Sequence, residues 1–149
     1  MAHDFKKFPE LTDNQMNFYY FDSPHKQITE DFFCRVIDVH DGDTIRVRWR
    51  ERDFDFPVRF INIAAPEMEE TGGKESQEWL EKRLLGKEIL VVIDNKNRVE
   101  KWGRLLGRVF SGGFDVGEES IVNGKSKQFG DFAEGVIPNF MGGLDGIKF

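Results

Sequence analysis

Between positions 44 and 50 the chain alternates without a break: Ile45, Val47 and Trp49 share one parity, and Arg46, Arg48 and Arg50 share the other. A period of two belongs to a strand with one face buried and one face in water. A slip of one residue would bury three guanidinium groups, so the pattern fixes its own register. After the polar turn Glu51-Arg52-Asp53 the same period returns in Phe54, Phe56, Val58 and Phe60. Two such runs joined by a short polar turn form a β-hairpin, and the rest of the chain must complete a sheet around it.

The remaining periodicities supply the other pieces. Residues 36–39 read as an earlier strand, residues 89–94 and 105–110 as two later ones, and the polar stretch 95–103 as the loop joining those two. Residues 74–85 read as a helix, with Trp79, Leu80, Leu84 and Leu85 at helical spacing and Gly86 as its stop. Residues 118–123 read as a shorter helix closed by Gly124. Five short strands with one helix after the third predict a mainly β fold with helices, a five-stranded OB-like Greek-key barrel. A parallel βαβ sheet is the alternative, disfavoured because the first three strands have no helical crossovers between them.

The flanks differ from the centre. Of 15 phenylalanines, 10 lie outside residues 34–126, and Tyr19 and Tyr20 join them. Segments that apolar are not solvated tails, yet they are too short for cores of their own, so they dock on the barrel or on another chain. The domain reading is therefore an aromatic N-terminal arm over 1–32, a barrel over 33–127 and a glycine-rich C-terminal arm over 128–149, both arms irregular.

The net charge is -6, from 21 basic and 27 acidic side chains. That balance argues against nucleic-acid binding through bulk positive charge, so any phosphate chemistry has to be local. The flanks carry -4 of it and the centre only -2. Cys34 is the sole cysteine, which rules out an internal disulfide and reads as a small core residue. No apolar run approaches bilayer length, and the first seven residues lack an apolar leader core, so the expected location is cytoplasmic or within a virus particle.

Three motifs carry chemistry. Asp41-Gly42-Asp43-Thr44 enters the second strand, and Asp43 shares the parity of Ile45 and Val47, so its carboxylate faces the barrel interior or rim. There it needs a cation or several donors, unless the motif is only an Asp-Gly turn. Arg59 interrupts an apolar strand, and Pro66-Glu67 follows in a loop. A strand-borne Arg with a loop Glu can bind a phosphate and position a water; equally, the two can form an internal salt bridge. Lys101-Trp102-Gly103-Arg104 places a second Arg near an aromatic able to stack on a base, although alone it reads as a surface turn. Gly73-Lys74-Glu75-Ser76 lacks Walker A spacing, and His3, His25 and His40 form no ligand or triad pattern.

In their order and separations these three motifs resemble the staphylococcal nuclease, or thermonuclease, family over residues 33–127. The resemblance implies an OB-like barrel that cuts DNA or RNA with calcium. Carried over by position, Asp43 and the main-chain carbonyl of Ala65 would bind the metal, and Glu67 would activate the attacking water. Arg59 and Arg104 would clamp the scissile phosphate, with Lys101 and Trp102 against the substrate. One position departs from the pattern: where the family has a calcium-binding aspartate, this chain has Ala64. The C-terminal tyrosines and last helix of the family also lack a counterpart after Lys125. Two functions follow as expectations: a phosphodiesterase with a weakened calcium site, or an inactive nuclease-fold component of a larger assembly such as a virion, docked on protein partners through its arms.

Overall fold

The computed structural model describes residues 2–129, and the glycine-rich C-terminal arm lies almost wholly outside them. In chain order it contains α1 (Asp13–Tyr19), β1 (Phe32–Asp41), β2 (Thr44–Arg48), β3 (Phe56–Phe60) and β4 (Ile63–Ala64). Then follow α2 (Gly73–Leu84), β5 (Glu88–Val92), β6 (Leu105–Ser111), β7 (Phe114–Asp115), α3 (Val116–Val122) and β8 (Lys127–Gln128).

The alternating run behaves as its period requires. Ile45, Val47 and Trp49 are buried while Arg46, Arg48 and Arg50 face solvent. β2 pairs antiparallel with β3 in the register Thr44 to Arg59 and Ile45 to Val58, closing the expected hairpin. β1 pairs with β2 on one side and β5 on the other, and β5 pairs with β6, all antiparallel. The barrel closes where β6 returns to β3 as a parallel neighbour, with Val58, Arg59 and Phe60 opposite Leu105, Leu106 and Gly107. Val36, Val47, Val58, Phe60, Val91 and Val109 fill the interior without measurable exposure. Each such side chain contributes about 1.5–3 kcal/mol by leaving water.

Two helices pack on the barrel, α2 against β1 and α3 chiefly against β6. α2 buries Leu80 and Leu84 and stops one residue earlier than its apolar spacing suggested, so Leu85 is 46% exposed and not part of the apolar face. Gly86, at φ 79°, reverses the chain there, a backbone conformation that costs glycine little. α3 starts two residues before the expected helix because the Asp115 side chain accepts a hydrogen bond from the Glu118 amide and so caps it. After α3, β8 pairs antiparallel with β4, placing Ala64 opposite Lys127 and carrying strand structure to Gln128, the first residue of the expected C-terminal arm.

The N-terminal segment docks on its own barrel. It contains a helix, α1, begun by a reciprocal capping pair in which the Thr12 hydroxyl accepts from the Gln15 amide and the Gln15 side chain accepts from the Thr12 amide. Its anchor is Glu10, buried between Arg52 and Arg98. Arg98 Nη2 lies 3.1 Å from Glu10 Oε2, and the same guanidinium donates to the carbonyls of Ile28 at 2.7 Å and Leu11 at 3.1 Å. Arg52 Nη2 donates to Glu10 and to the Lys26 carbonyl. Its Nε and Nη1 have no oxygen acceptor, but the guanidinium lies over the rings of Phe56, Phe54 and Trp49 at 4.6, 5.3 and 5.6 Å. Ring faces take the place of oxygen partners for this buried cation.

Removing one member of a buried ion cluster leaves the others uncompensated, which typically costs about 3–5 kcal/mol. Glu10→Gln, which is nearly isosteric but uncharged, is expected to lower unfolding stability by about that amount in a urea titration. A loss below about 1 kcal/mol would show that the anchor is not needed.

Candidate functional site

The three motifs meet where β2, β3 and β6 run side by side. Asp43 enters β2, Arg59 lies directly across the hairpin from Thr44, and Arg104 immediately precedes β6, the parallel neighbour of β3. Asp43 is buried and both of its oxygens are engaged. Oδ2 accepts from Arg59 Nη2 at 3.2 Å and from the Ala65 amide at 2.9 Å, and Oδ1 accepts from the Thr44 hydroxyl at 3.1 Å. Thr44 Oγ1 in turn accepts from Arg104 Nη1 at 3.4 Å. One line of hydrogen bonds therefore runs from Arg104 through Thr44 and Asp43 to Arg59.

Each arginine is held by further partners. Arg59 Nη1 donates to the carbonyls of Phe60 at 2.7 Å and Ile63 at 3.3 Å, and its guanidinium lies 5.0 Å from the Phe129 ring centre. Arg104 is gripped on a second edge by Glu100, with Nε and Nη2 donating to the two carboxylate oxygens at 3.2 and 3.1 Å. That bond, and the negative charges of Glu100, Asp43 and Asp41, hold its already high pKa higher still against the effect of burial. A guanidinium has five N–H bonds. After these contacts Arg59 retains Nε–H and one Nη2–H, and Arg104 retains one N–H on each terminal nitrogen. Two cations with four unused N–H donors, held in place by these bonds, have the chemistry to receive an anion.

Glu67 stands apart from this cluster. It is exposed, and its side chain makes no hydrogen bond or ion pair among the described residues. The internal Arg59–Glu67 salt bridge is not formed; Asp43 takes Arg59 instead. The loop carrying Glu67 is fixed by its backbone. Glu70 accepts from the Glu67 amide at 2.7 Å, and the Glu67 carbonyl lies so close to Gly73 that a Cβ there would fall 1.9 Å from it. Lys101 and Trp102 sit on the surface beside Arg104, with the Lys101 ammonium 5.1 Å from the Trp102 ring centre.

Calcium fits this donor set poorly. It asks for six to eight oxygens, and its affinity follows the number of charged ligands. Ala64 offers no side-chain oxygen, both Asp43 oxygens already accept from protein donors, and Ala65 meets Asp43 through its amide N–H. Among the described residues no group of three His, Cys, Asp or Glu side chains is arranged to hold a metal ion.

Sequence reasoning passed over four contributors. Thr44 links the two arginine arms, Glu100 orients Arg104, and Phe129 covers Arg59. Gly42 lets α2 approach: a Cβ there would sit 2.0 Å from Ser76 Oγ and 2.6 Å from the Ala65 Cβ. Of these, Gly42 and Thr44 stand inside the motif that carries Asp43, and Glu100 is an acid four residues before Arg104.

Residues 57–133 match the model of the staphylococcal nuclease homologue family. The chain belongs to that family. Similar proteins include one named "uncharacterized endonuclease" in Escherichia coli O157:H7 and another so named in Escherichia coli. Each is 33% identical over 81 residues, covering 54% of this chain and 50% of the other protein. An uncharacterized protein of Bacillus anthracis is 32% identical over 96 residues, covering 60% of this chain and 44% of its own length. The chain thus spans about half the length of the curated relatives it matches.

Asp41 gives this corner a pH signature. Burial first, then the neighbouring Asp43, pushes its carboxyl from 3.8 up to about 6. The folded state therefore keeps a proton that the unfolded chain has already released. The associated stability is complete below about pH 3.8 and is lost as pH rises through about 6. Asp41→Asn is neutral throughout and its side-chain oxygen can still accept from the Asp43 amide. In calcium-free buffer it is expected to exceed the parent by about 1–2 kcal/mol at pH 7.5, after allowance for partial solvent screening, with the gap closing near pH 4. Parallel melting curves with a constant gap from pH 4 to 8 would contradict this.

Proposed function

We propose that this chain hydrolyses phosphodiester bonds of DNA or RNA at the corner formed by Arg59, Arg104 and Asp43. The observation that carries the reading is the line of hydrogen bonds joining the two guanidinium groups, which leaves four N–H donors for the non-bridging oxygens of a phosphate. An anionic diester resists an anionic nucleophile, and two fixed cations lower that resistance most where charge grows in the transition state. Glu67, with its carboxylate unpaired among the described residues, takes a proton from the attacking water. The water oxygen bonds to phosphorus, the ester P–O bond breaks, and the leaving oxygen takes a proton from solvent. The names of the Escherichia coli relatives point to the same class of reaction.

Calcium, which the family implies, supplies further positive charge at such a site when bound. Here it has Asp43 and the Ala65 carbonyl to rest on, and we expect an affinity no tighter than the millimolar range, about 10⁻⁴–10⁻³ M, typical of weak calcium modules.

A second reading, a nuclease fold that no longer turns over and serves in an assembly, is favoured by Ala64 and the fully engaged Asp43. The 77% and 95% exposure of Phe18 and Phe21 supports protein partners at the N-terminal arm.

Cleavage of single-stranded DNA, with and without chelator, separates the two readings. Slow cleavage is expected, with Glu67→Gln and Arg104→Ala each reducing the rate by about 10²-fold or more. Ala64→Asp is expected to raise calcium affinity in a calorimetric titration. No cleavage with calcium, magnesium or manganese would remove the hydrolytic reading.

A further inference from the structure

The loop that turns Arg104 inward turns Trp102 outward. Trp102 is 65% exposed, and it forms one wall of a groove of about 350 Å³. The opposite wall comes from the N-terminal segment, through His3, Phe8, Gln15 and Tyr19. These residues lie far outside the part of the chain that matches the family model.

The two walls are fitted to each other. A Cβ on Gly103 would lie 2.7 Å from the Phe8 ring, so the N-terminal segment rests directly on the Trp102 loop. The His3 ring stands 5.7 Å from the Tyr19 ring and 6.4 Å from that of Phe8, forming a continuous aromatic wall. The Gln15 side-chain oxygen is used by the Thr12 amide, while its NH₂ group has no partner among the described residues and is available to a polar edge. The Lys101 ammonium, over Trp102, brings positive charge to the rim, while the two carboxylates of the lining are engaged elsewhere, Asp4 by the Lys6 and Lys7 amides and Glu10 by Arg52 and Arg98.

We propose that this groove receives the nucleobase next to the phosphate held by Arg59 and Arg104, so that the N-terminal segment is half of a base-binding subsite. The inference rests on the phosphodiester reading above. Flat aromatic walls match the π-face of a base, the Gln15 amide matches a base carbonyl or ring nitrogen, and the groove adjoins Arg104 through Gly103. Base stacking on aromatic side chains is strong and tolerant of sequence. A base inside a duplex is already stacked on both faces and paired along its edge, so the subsite selects single strands.

The test compares a labelled thymidine octamer with an abasic phosphodiester of the same length, by fluorescence anisotropy in chelator to prevent cleavage. The thymidine octamer is expected to bind about tenfold more tightly than the abasic polymer. Tyr19→Leu and Trp102→Leu, which keep apolar bulk, should each bring that ratio toward one, and Arg104→Ala should weaken both polymers alike. Melting curves check that the variants fold, and Trp102→Leu, at an exposed position, keeps the test open if Tyr19→Leu does not. A parent ratio near one overturns the inference, as does a ratio unchanged in Tyr19→Leu. If neither polymer binds, the phosphodiester reading falls and takes this inference with it.

Discussion

The Asp43 carboxylate is the point at which the barrel is tied together. Placed where water is scarce, it demands donors, and it draws them from three separate stretches: the Thr44 hydroxyl at the start of β2, the Arg59 guanidinium from β3 and the Ala65 amide after β4. The backbone adds to this, since the Asp43 carbonyl accepts from the Phe60 amide at 2.9 Å. Arg59 in turn is the residue of β3 that faces Thr44 on one side and Leu106 on the other, so the hub lies on the seam where the barrel closes. The charge that joins these strands also holds Arg59 directly and Arg104 through Thr44, so closing the barrel fixes both guanidinium groups in the same step.

Legibility in the sequence followed the range of the interaction. The hairpin was written in the alternation of residues 44–50 because its cause, one wet face and one dry face, acts on neighbours in the chain. The inward parity of Asp43 came from the same source. The stop of α2 at Leu84 did not, because Leu85 fits the same apolar spacing as Leu80 and Leu84 and only the fold turns it toward water. The partner of Arg59 was equally hidden: Asp43 and Glu67 are both suitable carboxylates, and only the hairpin register, with Thr44 opposite Arg59, favours the first. Arg52 was read as part of a polar turn, yet it is buried beneath three aromatic rings and bonded to Glu10. Nothing local distinguishes a turn arginine that stays in water from one that meets a carboxylate 42 residues away.

The match to the family model begins at Pro57, inside β3, and leaves out β1, β2 and Asp43. The first half of the hairpin was connected to the second only through the motif Asp41-Gly42-Asp43-Thr44 and the alternation behind it. The fold explains why that part must travel with the rest: without β1 and β2 the sheet has an open edge on β3 and Arg59 loses its counter-ion.

Glu10 also sets a schedule. Both of its cations follow it in the chain, Arg52 by 42 positions and Arg98 by 88, and the barrel strand β6 comes later still. During synthesis the aromatic N-terminal segment therefore waits uncovered, since a carboxylate has no reason to leave water until a cation is in place to receive it. Its docking is a contact between distant parts of the chain, of the kind whose closure costs the most chain entropy. A segment made before its cations is secured only after them.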